Sequence, residues 1–214
     1  MKQFPAFLRD GYQRFKGGRL KVERERYQKL ALSGQKPQTM VIGCCDSRAA
    51  PDTIFDAGPG ELFVFRNVAN LVPPYAPDDD FHGTSAALEF AVLSLDVETI
   101  LVMGHGRCGG IAAALDPNAA ALSQGAFIGR WMSLADRAVA ALDKEIESGQ
   151  DRHTALERLS VRFSLDNLRS FPFIAEREDA GQLALHGAWF DIATGELWML
   201  DPANGQWSNA AAGA

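Results

Sequence analysis

Three short runs constrain this chain most: residues 39–44 (Thr-Met-Val-Ile-Gly-Cys), 62–65 (Leu-Phe-Val-Phe) and 99–103 (Thr-Ile-Leu-Val-Met). Each is largely apolar and rich in β-branched or aromatic side chains. A strand with one wet face alternates apolar and polar residues. A strand apolar on both sides must be covered on both, which is the mark of a largely parallel sheet packed between helices. The segments between the runs supply those helices. Residues 84–95 carry Ala87, Leu88, Ala91, Val92 and Leu95 as one stripe, the pattern of an amphipathic helix. A further helix is expected over 108–115, and the stretch 127–170 reads as mostly helical. Two later runs, 183–190 and 196–200, flank Asp191-Ile192-Ala193-Thr194-Gly195. That is a hairpin signal, which places an antiparallel strand at one edge. The alternation of strands and helices predicts an α/β fold: a mostly parallel central β-sheet with an antiparallel edge strand, flanked by helices.

The N-terminal region reads differently. Phe4, Phe7, Leu8, Tyr12 and Phe15 recur at helical spacing. Gly17-Gly18 interrupts the pattern, a second helix runs to about Leu32, and Ser33-Gly34-Gln35-Lys36-Pro37 is a loop. Residues 66–80, rich in Pro and Asp, are expected to be irregular. No internal repeat or linker is evident, so 1–214 is expected to form a single domain. It comprises a helical arm (1–34), an α/β core (35–205) and a fraying tail (206–214). A chain of 214 residues can bury a sizeable core. The net charge of -6 gives no basic footprint for nucleic acid. No apolar stretch approaches the roughly 18–20 residues a membrane span needs. Charged residues stand where a signal peptide would be apolar, so a cytoplasmic protein is expected. The three cysteines do not suggest a disulfide framework. In a reducing compartment they read as metal ligands or nucleophiles.

Two motifs carry the chemistry: Cys44-Cys45-Asp46-Ser47-Arg48 and His105-Gly106-Arg107-Cys108. Both lie just past the C-terminal ends of expected strands, where sites of open α/β sheets gather at the strand-order switch. If the first and third strands are neighbours, the motifs converge. Cys44, His105 and Cys108 can then hold zinc, and three protein ligands leave the fourth tetrahedral position to water, the catalytic arrangement. Gly104, Gly106, Gly109 and Gly110 are expected to let the backbone turn tightly around the metal. Cys108 near a helix N-terminus is favoured as thiolate. Asp46 and Arg48 form an ion pair that a structural zinc site does not need. Cys45 is expected to be a small packed residue, and His82, His153 and His186 to be structural or exposed. A thiol enzyme using Cys108 with His105 is a competing reading.

Cys-x-Asp-Ser-Arg followed by Gly-His-x-x-Cys-Gly-Gly resembles the β-class carbonic anhydrases. The likeness extends over most of the chain. Residues 60–70 (Gly-Glu-Leu-Phe-Val-Phe-Arg-Asn-Val-Ala-Asn), Val72-Pro73-Pro74-Tyr75 and the helix around Ala87–Val92 are similar to the plant-like, type I branch. The resemblance implies a lyase, carbonate dehydratase, with one Zn²⁺ per chain on Cys44, His105 and Cys108. It implies that zinc-bound hydroxide attacks CO2. Asp46 would accept a hydrogen bond from the bound water or hydroxide, and Arg48 would keep Asp46 off the metal. Gly109 would offer its N–H to substrate, and Phe63, Val68 and Phe90 would line a CO2 pocket. Gln35 would reach bicarbonate across a homodimer built by the N-terminal arm, with tetramers or higher forms open. No nucleic-acid or membrane partner is implied. Phe90 stands where the plant-like pocket commonly has tyrosine. Val41, Arg66 and Phe190 align with the Trp, Arg and Tyr of another branch's inhibitory bicarbonate site, so no such site is expected. A COS or CS2 hydrolase of the same clade, and a non-catalytic zinc or bicarbonate-binding protein, are the alternatives.

Overall fold

The computed structural model describes residues 3–78, 80–116, 127–146 and 149–213. Parts of the expected arm (1–2), irregular stretch (79), helical stretch (147–148) and tail (214) lie outside the described residues. The chain divides into two compact units, 1–36 and 37–214.

The first unit is a helix pair, α1 (Ala6–Gly17) and α2 (Arg19–Ser33). Gly18 breaks the path at φ -111°, ψ -98°, and its N–H caps Arg14 O at 2.9 Å. A Cβ there would sit 3.1 Å from that same oxygen, so the bend needs glycine. Phe15 and Tyr27 meet edge-on at 6.1 Å. No residue of either helix is buried.

The second unit is built on a six-stranded sheet. Its strands are β1 (Thr39–Cys44), β2 (Leu62–Asn67), β3 (Thr99–His105), β4 (Ala184–Phe190), β5 (Leu197–Leu200) and β6 (Trp207–Asn209), in the order β2-β1-β3-β4-β5-β6. The first four are parallel, and β5 and β6 are antiparallel. From β1 the chain moves outward to β2, then returns past β1 to β3 on its other side. The order therefore reverses between β1 and β3, where a crevice opens beyond the strand ends.

The alternation of faces explains the apolar runs. Met40 and Ile42 point into a core shared with Ile100, Val102, Leu88, Val92, Val161, Leu165 and Phe171. Val41 and Met103 point the other way, against Ala188, Ile54 and Phe55. Burying each large aliphatic side chain contributes about 1.5–3 kcal/mol, so neither face of β1 tolerates a polar residue. The helices are α3 (Pro51–Ile54), α4 (Gly83–Glu89), α5 (Gly109–Leu115), α6 (Phe127–Met132), α7 (Asp136–Glu145), α8 (Arg152–Leu168) and α9 (Pro172–Asp179). Pro51 and Pro172 occupy the first turns of α3 and α9, where a missing N–H costs nothing. Asp151 caps α8 by accepting from Thr154 N at 3.1 Å.

Several local expectations change. The helix expected over 84–95 is α4 followed by a π turn, Phe90–Ser94. The turn sends Ala91 and Val92 inward and leaves Phe90 and Leu93 half exposed. β2 and β3 run two residues further than expected, and β3 includes His105 because that residue pairs with Phe190 of β4. The tail does not fray from 206: Trp207 and Ser208 pair with Leu200 and Met199, forming β6, and a 3-10 turn follows. Among the described residues, no helix is long and apolar enough to cross a membrane.

Candidate metal centre

The crevice at the strand-order reversal is where both motifs arrive. Cys44 ends β1 and His105 ends β3, and Cys108 is the N-cap of α5. One donor atom from each of the three lies within 4.8 Å of the others, and all three residues are buried. The two sulfurs are 4.0 Å apart.

His105 Nδ1 faces Gly106 O at 2.9 Å, a carbonyl that can only accept, so Nδ1 carries the proton. Nε2 is then the free lone pair. It is buried and has no hydrogen-bond partner among the described residues, an uncommon and costly condition that a metal ion removes. The thiols point to the same conclusion. The neighbouring Cys108 thiol, and more weakly the backbone N–H groups of Asp46 and Ala69, pull the Cys44 thiol down against the opposing effect of burial. Cys108 is pushed up by Cys44 and by burial, against the N–H groups of Ile111 and Gly110. Two anions that close repel, and a divalent cation between them makes both thiolates stable. Two thiolates and a neutral imidazole form a donor set suited to zinc.

Asp46 stands at the edge of this cluster, its Oδ2 4.0 Å from His105 Nε2. Arg48 grips it from both sides, Nε to Oδ1 at 2.9 Å and Nη2 to Oδ2 at 2.6 Å, and its backbone N–H adds a third bond at 3.0 Å. These bonds, led by the guanidinium, hold Asp46 below the usual carboxylate range. Arg48 also donates to Arg107 O at 3.2 Å, tying the two motifs together. Arg66 donates to Cys44 O and Asp46 O, both at 2.7 Å. It is thus part of the scaffold of the Cys44 loop.

The glycines act differently from the expectation. The left-handed residue of the second motif is Arg107, at φ 58°. Gly104 and Gly106 are small because α8 and Trp189 approach them: a Cβ on Gly104 would lie 2.9 Å from Val161 Cγ2, and one on Gly106 3.2 Å from Trp189 Cζ2.

The remaining expected residues are placed as follows. Val68 lies beside Gly110, with a Cγ1 3.1 Å from where a Cβ would stand, and its carbonyl accepts from Trp131 Nε1 at 2.8 Å. Phe63 and Phe90 pack on each other at 5.8 Å between ring centroids. Gly109 opens α5, with open space where a side chain would be. Gln35 is exposed and belongs to the N-terminal unit. Cys45 is exposed rather than packed, because it leaves β1 on the opposite side from Cys44 where the sheet has ended. His82 and His186 are exposed as expected. His153 is structural, as expected, and partly buried: its Nε2 lies 3.0 Å from Cys108 O.

A family profile described as carbonic anhydrase matches residues 39–197, which contain the three donors, Asp46 and Arg48. The chain belongs to the β-class carbonic anhydrases. It is 38% identical over 201 residues to beta carbonic anhydrase 3 of Arabidopsis thaliana, covering 91% of this chain and 76% of that protein. Among solved structures it is similar to the β-carbonic anhydrase CcaA, with a TM-score of 0.86 and 29% identity over 94% of this chain and 90% of that one. It is also similar to a tetrameric β-carbonic anhydrase of the filamentous ascomycete Sordaria macrospora, with a TM-score of 0.77 and 30% identity over 94% and 97% of the two chains. One contact of this β-carbonic anhydrase's site lies outside both motifs. Glu157 of α8 is buried behind Cys108 and accepts its N–H at 2.9 Å. A signal existed: Glu157 falls on the stripe of Val161, Ser164 and Leu168, all buried, and an acid on a buried helical face demands a partner.

Proposed function

We propose that this β-carbonic anhydrase hydrates carbon dioxide reversibly to bicarbonate and a proton, with zinc held by Cys44, His105 and Cys108. The supporting observation is the convergence of three buried donors beside a carboxylate that Arg48 restrains. When bound by three protein ligands, zinc acts as a Lewis acid that lowers the pKa of a water from about 15.7 to about 7.

The chain's own residues supply orientation. Asp46 is held ionised and is too weak a base to remove a proton at neutral pH. As an acceptor it receives a hydrogen bond from the attacking water or hydroxide and so turns an oxygen lone pair toward carbon. Both of its oxygens are occupied by Arg48, which keeps the carboxylate from becoming a ligand itself. CO2 is apolar, and Phe63, Val68 and Phe90 offer it apolar surface. The Gly109 N–H, at the start of α5, is available to an oxygen of bicarbonate. Gln35 acts on bicarbonate in a second copy of the chain, so the working form is a dimer or a larger assembly.

Stopped-flow CO2 hydration with the native protein and Asp46→Asn tests this reading. The native protein is expected to hydrate CO2 rapidly. Asp46→Asn is expected to keep its zinc and lose about 100-fold or more in rate, the scale of a misplaced reactant. Full activity in Asp46→Asn contradicts the role of Asp46, and a zinc-loaded native protein without hydration contradicts the function.

A further inference from the structure

The turn that carries His105 and Cys108 is pinned at each peptide. Gly106 N donates to Phe190 O at 2.8 Å, and Arg107 O accepts from Arg48. The backbone of the last residue of the turn, Cys108, is held on both sides by α8. Cys108 N donates to Glu157 Oε1 at 2.9 Å, and Cys108 O faces His153 Nε2 at 3.0 Å. His153 and Glu157 are one helical turn apart, so they lie on the same face of α8. One i,i+4 pair thus grips both the N–H and the C=O of Cys108.

Glu157 is an unusual residue for its place. It is 2% exposed, and burying a carboxylate is costly unless its oxygens are bonded. Here they are. Oε1 takes the Cys108 N–H and lies 3.2 Å from His153 Nε2, and Oε2 accepts from Trp189 Nε1 at 3.0 Å. Nε2 of His153 faces a carbonyl and a carboxylate, so it is the protonated nitrogen. Two N–H groups, those of Cys108 and Trp189, therefore donate to the carboxylate, one to each oxygen, and with His153 beside Oε1 they fix its orientation.

Cys108 needs such a partner. Its sulfur is turned to the donor cluster, 4.0 Å from that of Cys44, and not to its own backbone. Its N–H lies before the first turn of α5 and has no place in that helix. An apolar residue at 157 would leave that buried N–H and the Trp189 indole N–H without acceptors.

We propose that Glu157, braced by Trp189 and His153, is a positioning residue that sets the direction in which Cys108 presents its sulfur to the metal. This rests on the zinc reading above. Groups that orient metal ligands from behind typically contribute about 10–100-fold to metal affinity.

Glu157→Gln is the informative substitution. It keeps volume and shape, but a glutamine has one acceptor oxygen where two oxygens now accept. Its amide N–H2 must face Cys108 N–H or Trp189 Nε1–H, donor against donor. Zinc dissociation constants are measured on the full chain by competition with a chelator of known affinity. Thermal unfolding of the metal-free protein and the thiolate-to-metal charge-transfer spectrum of the cobalt-loaded protein complete the set. The expected result is zinc binding weakened by about 10–100-fold with a shifted cobalt spectrum, while the metal-free protein remains folded. An unchanged zinc constant and cobalt spectrum overturn the proposal. Should Glu157→Gln fail to fold, His153→Ala carries the test at a partly exposed position. It is expected to weaken zinc severalfold and His153→Gln to restore it, and unchanged binding in His153→Ala overturns the proposal. Native protein that takes up no zinc contradicts the metal reading itself, a result distinct from native and variant binding zinc equally.

Discussion

Gly104 shows how a motif glycine can be required by its neighbours rather than by its own dihedral angles. A methyl group there meets Val161 at 2.9 Å, with Trp189 at 3.5 Å behind it. Gly104→Ala is expected to cost about 1–3 kcal/mol, the usual range for overpacking, read from urea unfolding, and to disturb His105 next to it. A loss below 0.5 kcal/mol, given as an approximate bound on a neutral surface change, contradicts this account. At this scale the sequence was legible where chemistry leaves a mark in residue type. Cys44, His105, Cys108, Asp46 and Arg48 are rare types in a short pattern, and the structure brings all five together. It was mute where function depends on a contact across many residues. Nothing near Glu157 in the chain announces Cys108, 49 positions away. Cys45, expected to be packed, is exposed, because its burial depends on where β1 stops being covered.

Among the elements, α8 does two jobs. Its apolar residues Val161, Leu165 and Leu168 fill the core against the sheet, and its first two turns present His153 and Glu157 to the metal loop. The helix start therefore matters to the site. Asp151 holds it, accepting from both the N–H and the hydroxyl of Thr154. Asp151→Ala is expected to cost about 1 kcal/mol, typical of a lost N-cap. The Thr154 N–H, against slight burial, lowers the pKa of Asp151. A carboxylate depressed in the folded state stabilises fully above its unfolded value, about 3.9, and the contribution fades as pH falls through the folded value. The difference between Asp151→Ala and native protein should thus be present at pH 7 and shrink in strong acid. A difference independent of pH contradicts the capping role. The long apolar strands and periodic helices could be read from the chain because their periods match single elements. The π turn at Phe90–Ser94 could not, since five residues with a plain helical stripe conceal one widened turn. β6 escaped because three residues, Trp-Ser-Asn, are too few to show a pattern.

For the whole molecule, strand order is the decisive fact. Placing β3 beside β1 brings two motifs about 60 residues apart to one crevice. The sequence suggested this placement only conditionally, because parallel neighbours are chosen by long-range packing. The N-terminal unit leaves Phe7, Leu8 and Tyr12 of α1 exposed at 72%, 47% and 54%, which fits a surface covered by a second copy. The native chain is expected to sediment as a dimer or larger. Phe7→Glu combined with Leu8→Glu is expected to yield smaller species with reduced hydration, because Gln35 then loses its target. A native monomer with full activity contradicts this assembly. The central claim is that Cys44, His105 and Cys108 form a zinc centre that drives CO2 hydration. The measurement that tests it most directly is stopped-flow hydration while zinc is titrated into metal-free protein. The account predicts negligible activity at the start, a linear rise and a sharp break at one zinc per chain, with no rise in Cys108→Ser. Activity that is present before zinc is added, or that does not follow zinc, would contradict it.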